Sequence, residues 1–241
     1  MSVDTFRALH HGRAPGDPLI LPGPWDVASA KTFVDAGFPA LATPSMAIAA
    51  SLGYADGQGT PPAEMFAAIA RITRAVDVPV SADVEAGYGL PPAELVERVL
   101  DAGAVGVNLE DSDPATGALV EPKRQADFLA AVRAAAGDDL FVNARIDTYV
   151  RDGDASPDRT VERGKQYAVA GADAVYPILA PPEHLRAIAD GIGLPVNAIG
   201  RPDGPPPREL GRMGATRITF GGGLHRRTLA TLKSIAEQLT A

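Results

Sequence analysis

The chain has 241 residues, of which 46% are hydrophobic and 22% are charged, so a disordered or fibrous protein is excluded and one larger domain can bury its own core. Acidic residues outnumber basic residues by 30 to 22, and the resulting net charge of −8 argues against nucleic acid as a partner. The absence of cysteine excludes a disulfide framework, a thiolate zinc site and a cysteine nucleophile.

Eight short segments rich in valine, isoleucine and leucine recur along the chain. Their hydrophobicity is nearly continuous, which is typical of parallel strands covered on both faces. In chain order, strands are predicted over residues 19–21, 40–43, 78–82, 105–109, 140–144, 174–178, 195–198 and 217–220.

Longer alanine-rich segments alternate with these strands. Several begin with proline and end at glycine, as helices commonly do. Helices are predicted over residues 28–36, 62–75, 91–102, 125–136, 156–170, 182–191, 207–213 and 224–239. Eight strand–helix units in one chain predict a single-domain (β/α)₈ barrel over residues 1–241, with a doubly wound open sheet as the alternative.

Polar side chains follow the predicted strands two to five. In a barrel the carboxyl ends of the strands carry the active site, so these side chains are expected to converge there. Because side chains alternate along a strand, residues two apart share a face. The pairs that share a face in this way are Asp83 with Glu85, Asn108 with Glu110, and Asn143 with Arg145.

Acidic groups so close together favour a bound cation. Asp83, Glu85 and Glu110 would repel one another unless a positive ion lay among them. Oxygen ligands without cysteine favour Mg²⁺, with Mn²⁺ as the alternative. Arg145 is suited to bind a substrate carboxylate through its planar guanidinium group. The alternative is that these residues form buried ion pairs that only stabilise the barrel.

Four short motifs together carry a family resemblance. They are Gly-Tyr-Ala-Asp at 53–56, Ala-Asp-Val-Glu-Ala-Gly-Tyr-Gly at 82–89, Asn-Leu-Glu-Asp at 108–111 and Ala-Arg-Ile-Asp at 144–147. In this order they resemble the isocitrate lyase/phosphoenolpyruvate mutase superfamily. The likeness is clear from about Pro22 to Asp147 and looser towards the C-terminus, and the acidic run before Gly-Tyr-Gly is its most specific part.

The resemblance implies a barrel that makes or breaks C–C or C–P bonds beside the carboxylate of a 2-oxo acid. It implies an enolate intermediate held on Mg²⁺, with Asp83 as the principal metal residue and with Glu85 and Glu110 acting through water. It also implies a substrate-binding Arg145, an Asp56 that lies over the substrate, and an oxyanion site at the backbone N–H groups of Ser45 and Met46. Members often exchange a C-terminal helix within a dimer of dimers, so a homo-oligomer (dimer or tetramer) is expected.

Three departures from the family pattern concern the reacting groups. Pro44-Ser45 stands where many members have Ser-Gly, and Glu85 replaces an aspartate found in several of them. Segment 113–124 lacks the cysteine and histidine of the lyase loop and the asparagine of the mutase loop, and its lysine, Lys123, comes late. Lys123 is therefore a candidate acid/base group on a lid. Tyr88, Asn108 and Asn143 are candidate substrate-binding residues.

The predicted function is a Mg²⁺-dependent lyase that cleaves or forms a C–C bond in a small 2-hydroxy or 2-oxo acid. Within enzymes, the alternatives are a phosphoenolpyruvate or phosphonopyruvate mutase or hydrolase and an oxaloacetate-type hydrolase. A barrel that binds carboxylates without turnover, and a phosphate-handling enzyme centred on glycines 221–223, are further alternatives. Segment 1–18 has no apolar run and no segment approaches the roughly 18 apolar residues of a membrane span, so we expect a cytoplasmic protein without a signal peptide or a membrane partner.

Overall fold

The computed structural model describes residues 2–152 and 156–240. All eight predicted strands are present within these ranges, each shifted by no more than a few residues. They are β1 (Leu19–Ile20), β2 (Leu41–Ala42), β3 (Val80–Asp83), β4 (Gly106–Glu110), β5 (Phe141–Ile146), β6 (Ala174–Pro177), β7 (Asn197–Ile199) and β8 (Arg217–Thr219).

The strands form two parallel sheets, one ordered β2-β3-β4-β5-β6 and the other ordered β1-β8-β7. The two sheets meet at both of their edges. On one side the backbone N–H of Ala42 donates to the carbonyl of Pro22 over 3.1 Å, and on the other a parallel bridge joins Val175 and Val196. The structure thus has the α/β class and the parallel strands that the sequence predicts.

The eight predicted helices are also confirmed, and the described residues contain three more. In chain order the helices are α1 (Val3–His10), α2 (Val27–Asp35), α3 (Ser45–Leu52), α4 (Pro62–Thr73), α5 (Pro92–Asp101), α6 (Pro122–Ala136), α7 (Thr148–Arg151), α8 (Pro157–Val169), α9 (Leu185–Ile192), α10 (Pro207–Arg212) and α11 (Gly223–Thr240). The additional ones are α1, α3 and α7. In the structure five of these helices, α4, α5, α6, α8 and α10, start with proline, whose missing N–H would have no intrahelical partner in the first turn.

Helix α1 covers the amino ends of the strands. Phe6 is fully buried, and its ring lies 5.2 Å from that of Phe141 at the start of β5. A side chain at Gly106, at the start of β4, would come within 3.0 Å of Phe6. Because α1 occupies this end, the polar interior opens at the carboxyl ends of the strands.

Helix α11 is more exposed than the other long helices. None of its residues is buried, and four of its large apolar side chains are exposed: Leu229, Leu232, Ile235 and Leu239. None of the described helices combines the length and the apolar composition that crossing a bilayer requires.

Candidate active site

A cavity of about 280 Å³ opens at the carboxyl ends of the strands. It contains six of the residues that the sequence singles out, and these come from strands β3 to β5 and from the segment after β2. They are Ser45, Met46, Asp56, Asp83, Asn108 and Arg145. The strand-end reasoning therefore locates the cavity correctly, although it does not give the partner of each side chain.

Asp83, the last residue of β3, is held in the cavity wall by neutral donors. The Ser45 hydroxyl donates to Oδ2 over 3.0 Å, and the Asn108 amide donates to Oδ1 over 3.1 Å. The backbone N–H of Glu85 also donates to Oδ1, over 3.2 Å. Asp83 forms no ion pair with any described residue, so its negative charge is oriented by dipoles but is not neutralised by a cation.

Glu85 turns away from the cavity. Its backbone φ is +53°, in the left-handed region, and this ends the extended alternation that would place it beside Asp83. The buried Glu85 carboxylate accepts the Tyr88 hydroxyl over 2.8 Å and also the N–H of Gln58. Burial raises the pKa of Glu85, and the nearby charge of Asp83 adds to this effect. Tyr88 is therefore bonded to Glu85 and does not reach the cavity.

Arg145, on β5, lies between two carboxylates. Its Nη1 is 2.5 Å from Glu110, and its Nε is 2.6 Å from Asp147. Burial opposes the charge of Arg145, but Asp147 and Glu110 outweigh this effect and raise its pKa. Burial raises the pKa of Glu110 to about 8, even though the charge of Arg145 acts in the opposite direction. Glu110 is thus placed beside the predicted substrate anchor, and its side chain is not part of the cavity wall.

Two carboxylates without a predicted role support Arg145 from behind. Asp147 is fully buried and receives the Ser112 hydroxyl. Asp111 accepts the Asp147 N–H over 2.8 Å and the Tyr167 hydroxyl over 2.7 Å. Burial raises the pKa of Asp111 to about 6. The only sequence signal for this support is position: Asp111 directly follows Glu110, and Asp147 lies two residues after Arg145.

The two asparagines form a short chain that ends at Asp83. The buried Asn143 donates from its amide to Asn108 over 2.9 Å, and Asn108 in turn donates to Asp83. Asn108 lines the cavity, whereas Asn143 lies behind it. Asn143 therefore orients the amide of Asn108.

Asp56 and the first residues of α3 lie at the mouth of the cavity. Asp56 is exposed, and partial desolvation together with the charge of Asp83 raises its pKa. The backbone N–H of Ser45 is directed at Asp83 over 3.4 Å, and so it is already engaged in the structure. The Met46 side chain is 41% exposed and contacts Arg226 through its sulfur, at 3.2 Å.

Lys123 is not brought to the cavity. It lies at the start of α6, where its exposed ammonium group pairs with Asp127 over 2.6 Å. The preceding segment is a tight hairpin, in which Ser112 and Leu119 form an antiparallel bridge. The guanidinium of Arg163 fixes this hairpin by donating to the carbonyl of Val120 over 3.0 Å.

The sequence reasoning missed the far side of the cavity. Tyr176, Asn197, Arg217 and Thr219 line it from β6, β7 and β8, and Arg226 lines it from α11. The two-residue spacing of Arg217 and Thr219 was a usable signal, because both then face the interior. Of the three glycines after β8, residues 221 and 222 also line the cavity. Gly222 packs so closely against Met46 that a Cβ atom would lie 2.8 Å from its sulfur.

The oxygen-rich wall suits a hard cation that keeps most of its water. Within the described ranges no three histidine, aspartate or glutamate side chains converge into a complete metal shell. Mg²⁺ usually takes only one or two protein carboxylates and completes its shell with water. Asp83 meets that smaller requirement, and Asp56 is the other cavity-lining carboxylate of the described chain.

Comparison with known proteins agrees with this geometry. Residues 6–240 match the family model described as phosphoenolpyruvate phosphomutase. A 2-methylisocitrate lyase of Bacillus subtilis is 31% identical over 192 residues, which are 76% of this chain and 62% of that protein. A solved structure from Burkholderia cenocepacia J2315 is 38% identical and covers 98% of this chain and 99% of its own, with a TM-score of 0.90. A solved 2,3-dimethylmalate lyase, a member of the PEP mutase/isocitrate lyase superfamily, is 26% identical over 99% of this chain and 85% of its own, with a TM-score of 0.87. The chain belongs to the phosphoenolpyruvate mutase/isocitrate lyase superfamily, a group of lyases and mutases.

Proposed function

We propose that this protein is a Mg²⁺-dependent lyase that breaks or forms a C–C bond in a small 2-hydroxy or 2-oxo acid. The observation that carries the proposal is the state of Asp83. Its carboxylate is oriented into the cavity by Ser45 and Asn108 but has no cationic partner among the described residues. A carboxylate that is pre-oriented and not neutralised is a suitable ligand for a divalent cation.

Arg145 is the proposed anchor of the substrate carboxylate. Asp147 holds one edge of its guanidinium group, through Nε and Nη2. The Nη1 edge faces Glu110, and we infer that an incoming carboxylate replaces Glu110 there. Glu110 then becomes available to bind water at the metal, which is the role that the family resemblance gives to Glu110 and Glu85.

The reaction requires that negative charge be stabilised next to the broken bond. When bound, Mg²⁺ supplies positive charge at that position. The N–H groups of Ser45 and Met46, at the start of α3, are the proposed protein donors that share this work. Bound substrate would compete with Asp83 for the Ser45 N–H, whose present contact of 3.4 Å is long.

Asp56 is the proposed proton-transfer group. It lines the mouth of the cavity, and its raised pKa brings it closer to the range where a carboxyl group both gives and takes protons. Lys123 stays a candidate on the family resemblance alone, because in the structure it pairs with Asp127 outside the cavity.

One wall of the cavity is apolar and indicates what else the substrate carries. Ile178, Leu179, Ile199 and Phe220 line the side opposite the acidic residues, and Val150 lies at the rim. Such a wall favours an alkyl substituent over a further charged group at that position. We therefore propose a substrate that carries an alkyl group beside the reacting carbon.

Calorimetric titration of oxalate, a planar mimic of an enolate, tests the proposed function. We expect wild-type protein to bind oxalate only when Mg²⁺ is present, and Asp83→Ala to weaken that binding by at least about a hundredfold through loss of the metal. Asp56→Asn should keep the binding but lose turnover of 2-hydroxy acids. Asp127→Ala, which changes an exposed carboxylate on α6, is the control and should bind as wild type does.

Two outcomes would contradict the proposal. Absence of oxalate binding both with and without Mg²⁺ would show that the proposed metal–enolate site does not exist. Equal binding by wild type and Asp83→Ala would show that Asp83 does not hold the metal.

We also propose that the two sheets close into one (β/α)₈ barrel and that the protein forms a homo-oligomer. The contact from Ala42 to Pro22 and the bridge from Val175 to Val196 support closure, because they lie on the two opposite edges. The exposed apolar side chains of α11 support self-association. A cytoplasmic location stays a prediction from the sequence.

A further inference from the structure

Arg217 is a buried arginine at the floor of the cavity. It belongs to β8, is 1% exposed and contributes to the cavity lining. Its Nη2 donates weakly to the Ser81 hydroxyl over 3.4 Å, whereas Nε and Nη1 have no hydrogen-bond partner in the described chain. The guanidinium group lies 5.8 Å above the ring of Phe6, which closes the space below it.

The charge of Arg217 is not neutralised by the protein. Burial lowers its pKa to about 10, so the side chain stays cationic at neutral pH. The other two deeply placed arginines each face a carboxylate: Arg145 faces Asp147 at 2.6 Å, and Arg163 faces Asp111 at 3.5 Å. No described carboxylate lies within ion-pair distance of Arg217, and Asp83 acts on it only from farther away. Because an unpaired buried charge is costly, an anion in the cavity would be strongly favoured at this position.

The groups around Arg217 are neutral and polar. Asn197 and Thr219 exchange hydrogen bonds of 3.1 and 3.2 Å, and Ser81 and Tyr176 complete the lining at this depth. A cation among hydroxyl and amide groups suits a small oxyanion, and the planar guanidinium group fits a carboxylate in particular. The two carboxylates that line the cavity, Asp83 on β3 and Asp56 in the segment after α3, both lie beyond ion-pair distance of Arg217.

The strand register places Arg217 and Arg145 at the two ends of one inward-facing row. Arg145 on β5 pairs with Tyr176 on β6, and Asn197 on β7 pairs with Arg217. The bridge between Val175 and Val196 brings Tyr176 and Asn197 side by side. The strands thus provide the cavity with two separate cationic positions, Arg145 at its wall and Arg217 at its floor, in addition to Arg226 on α11.

We propose that Arg217 binds a carboxylate group at the floor of the cavity. The site takes a small carboxylate and needs no metal. If the lyase function proposed above is right, on which this step rests, the ligand there is the second carboxylate of a dicarboxylate substrate whose first carboxylate is held by Arg145.

Titration of formate in the presence of EDTA tests the floor site without involving the metal. We expect wild-type protein to bind formate, and Arg217→Met to weaken the binding by at least about tenfold, since a charged partner is lost. Arg217→Lys should weaken it less, because it keeps the charge but loses the planar fork. Arg201→Met, which removes an exposed arginine from the loop after β7 that does not line this cavity, is the matched control and should leave the affinity unchanged.

Ser81→Asp provides a second variant in case Arg217→Met does not fold. It puts a carboxylate next to Arg217 within the protein, so it should raise the melting temperature and abolish formate binding. Absence of formate binding by wild type, or unchanged binding in the variants that alter the floor, would overturn the proposal.

The floor site and the proposed function can fail separately. Asp83→Ala should lose Mg²⁺-dependent oxalate binding but keep formate binding in EDTA. Failure of Mg²⁺-dependent oxalate binding alone would therefore contradict the metal site. Failure of formate binding alone would contradict the carboxylate site at Arg217.

Discussion

His10 is a buried imidazole that the fold keeps neutral. Its ring stacks on Phe141 at 4.2 Å, and Nδ1 donates to the carbonyl of Phe6 over 2.8 Å, which leaves Nε2 without a partner. Burial and the charge of Arg217 lower the pKa of His10 from 6.5 to about 3. Between these two pH values the unfolded chain binds a proton that the folded chain does not bind. The contribution of neutral His10 to the free energy of unfolding is therefore complete above pH 6.5 and is lost as the pH falls towards 3.

Replacement of His10 should reduce the sensitivity of the protein to acid. Between about pH 7.5 and about pH 5.5, this one group accounts for a loss of about 1.4 kcal/mol in the free energy of unfolding. His10→Leu should remove that part of the change, and urea unfolding at the two pH values measures it. His11→Gln, next to it but exposed, serves as the control. An equal pH dependence in wild type and His10→Leu would show that His10 is not the group responsible.

Helix α11 is the element whose sequence fits its surroundings least well. Leu229, Leu232, Ile235 and Leu239 follow the spacing of one helix face, yet all four are exposed. Because exposed apolar faces of this kind usually mark protein contacts, we expect this face to be covered by a second copy of the chain.

A charged substitution on that face should prevent self-association. Leu232→Glu is expected to convert the homo-oligomer into a monomer, since an unpaired carboxylate would be buried in the contact. Size-exclusion chromatography with light scattering measures the change. Lys233→Glu, one residue further along the helix and off this face, should leave the mass unchanged. A monomeric wild-type protein would show that another partner, or none, covers α11.

The sequence predicts the strands of the whole molecule well because continuous hydrophobicity directly reflects burial on both faces. It misses α3, whose Ser-Met-Ala-Ile-Ala-Ala-Ser-Leu segment lacks a polar face and so has no amphipathic period. It also places Glu85 beside Asp83, since alternation assumes extended backbone and the left-handed φ of Glu85 is not visible in the residue type. Its spacing from Thr219 places Arg217 in the interior, but that Arg217 lies unpaired above Phe6 of α1 depends on a long-range contact that the sequence does not show.

The two sheets are joined by few backbone contacts, and the molecule is expected to open first at these contacts. Strands β4 and β5 pair over five consecutive positions from Gly106 to Glu110, whereas a single bridge, from Val175 to Val196, joins the sheets at β6 and β7. Native-state hydrogen exchange should therefore show two cooperative units, with the amides of Ala42 and Val175 exchanging through low-energy openings and those of β4 and β5 only through global unfolding. Uniform protection across both sheets would contradict this. The five-stranded sheet carries Asp83 and Arg145, and the three-stranded sheet carries Arg217. Such an opening would therefore separate the two halves of the cavity while each sheet stays folded.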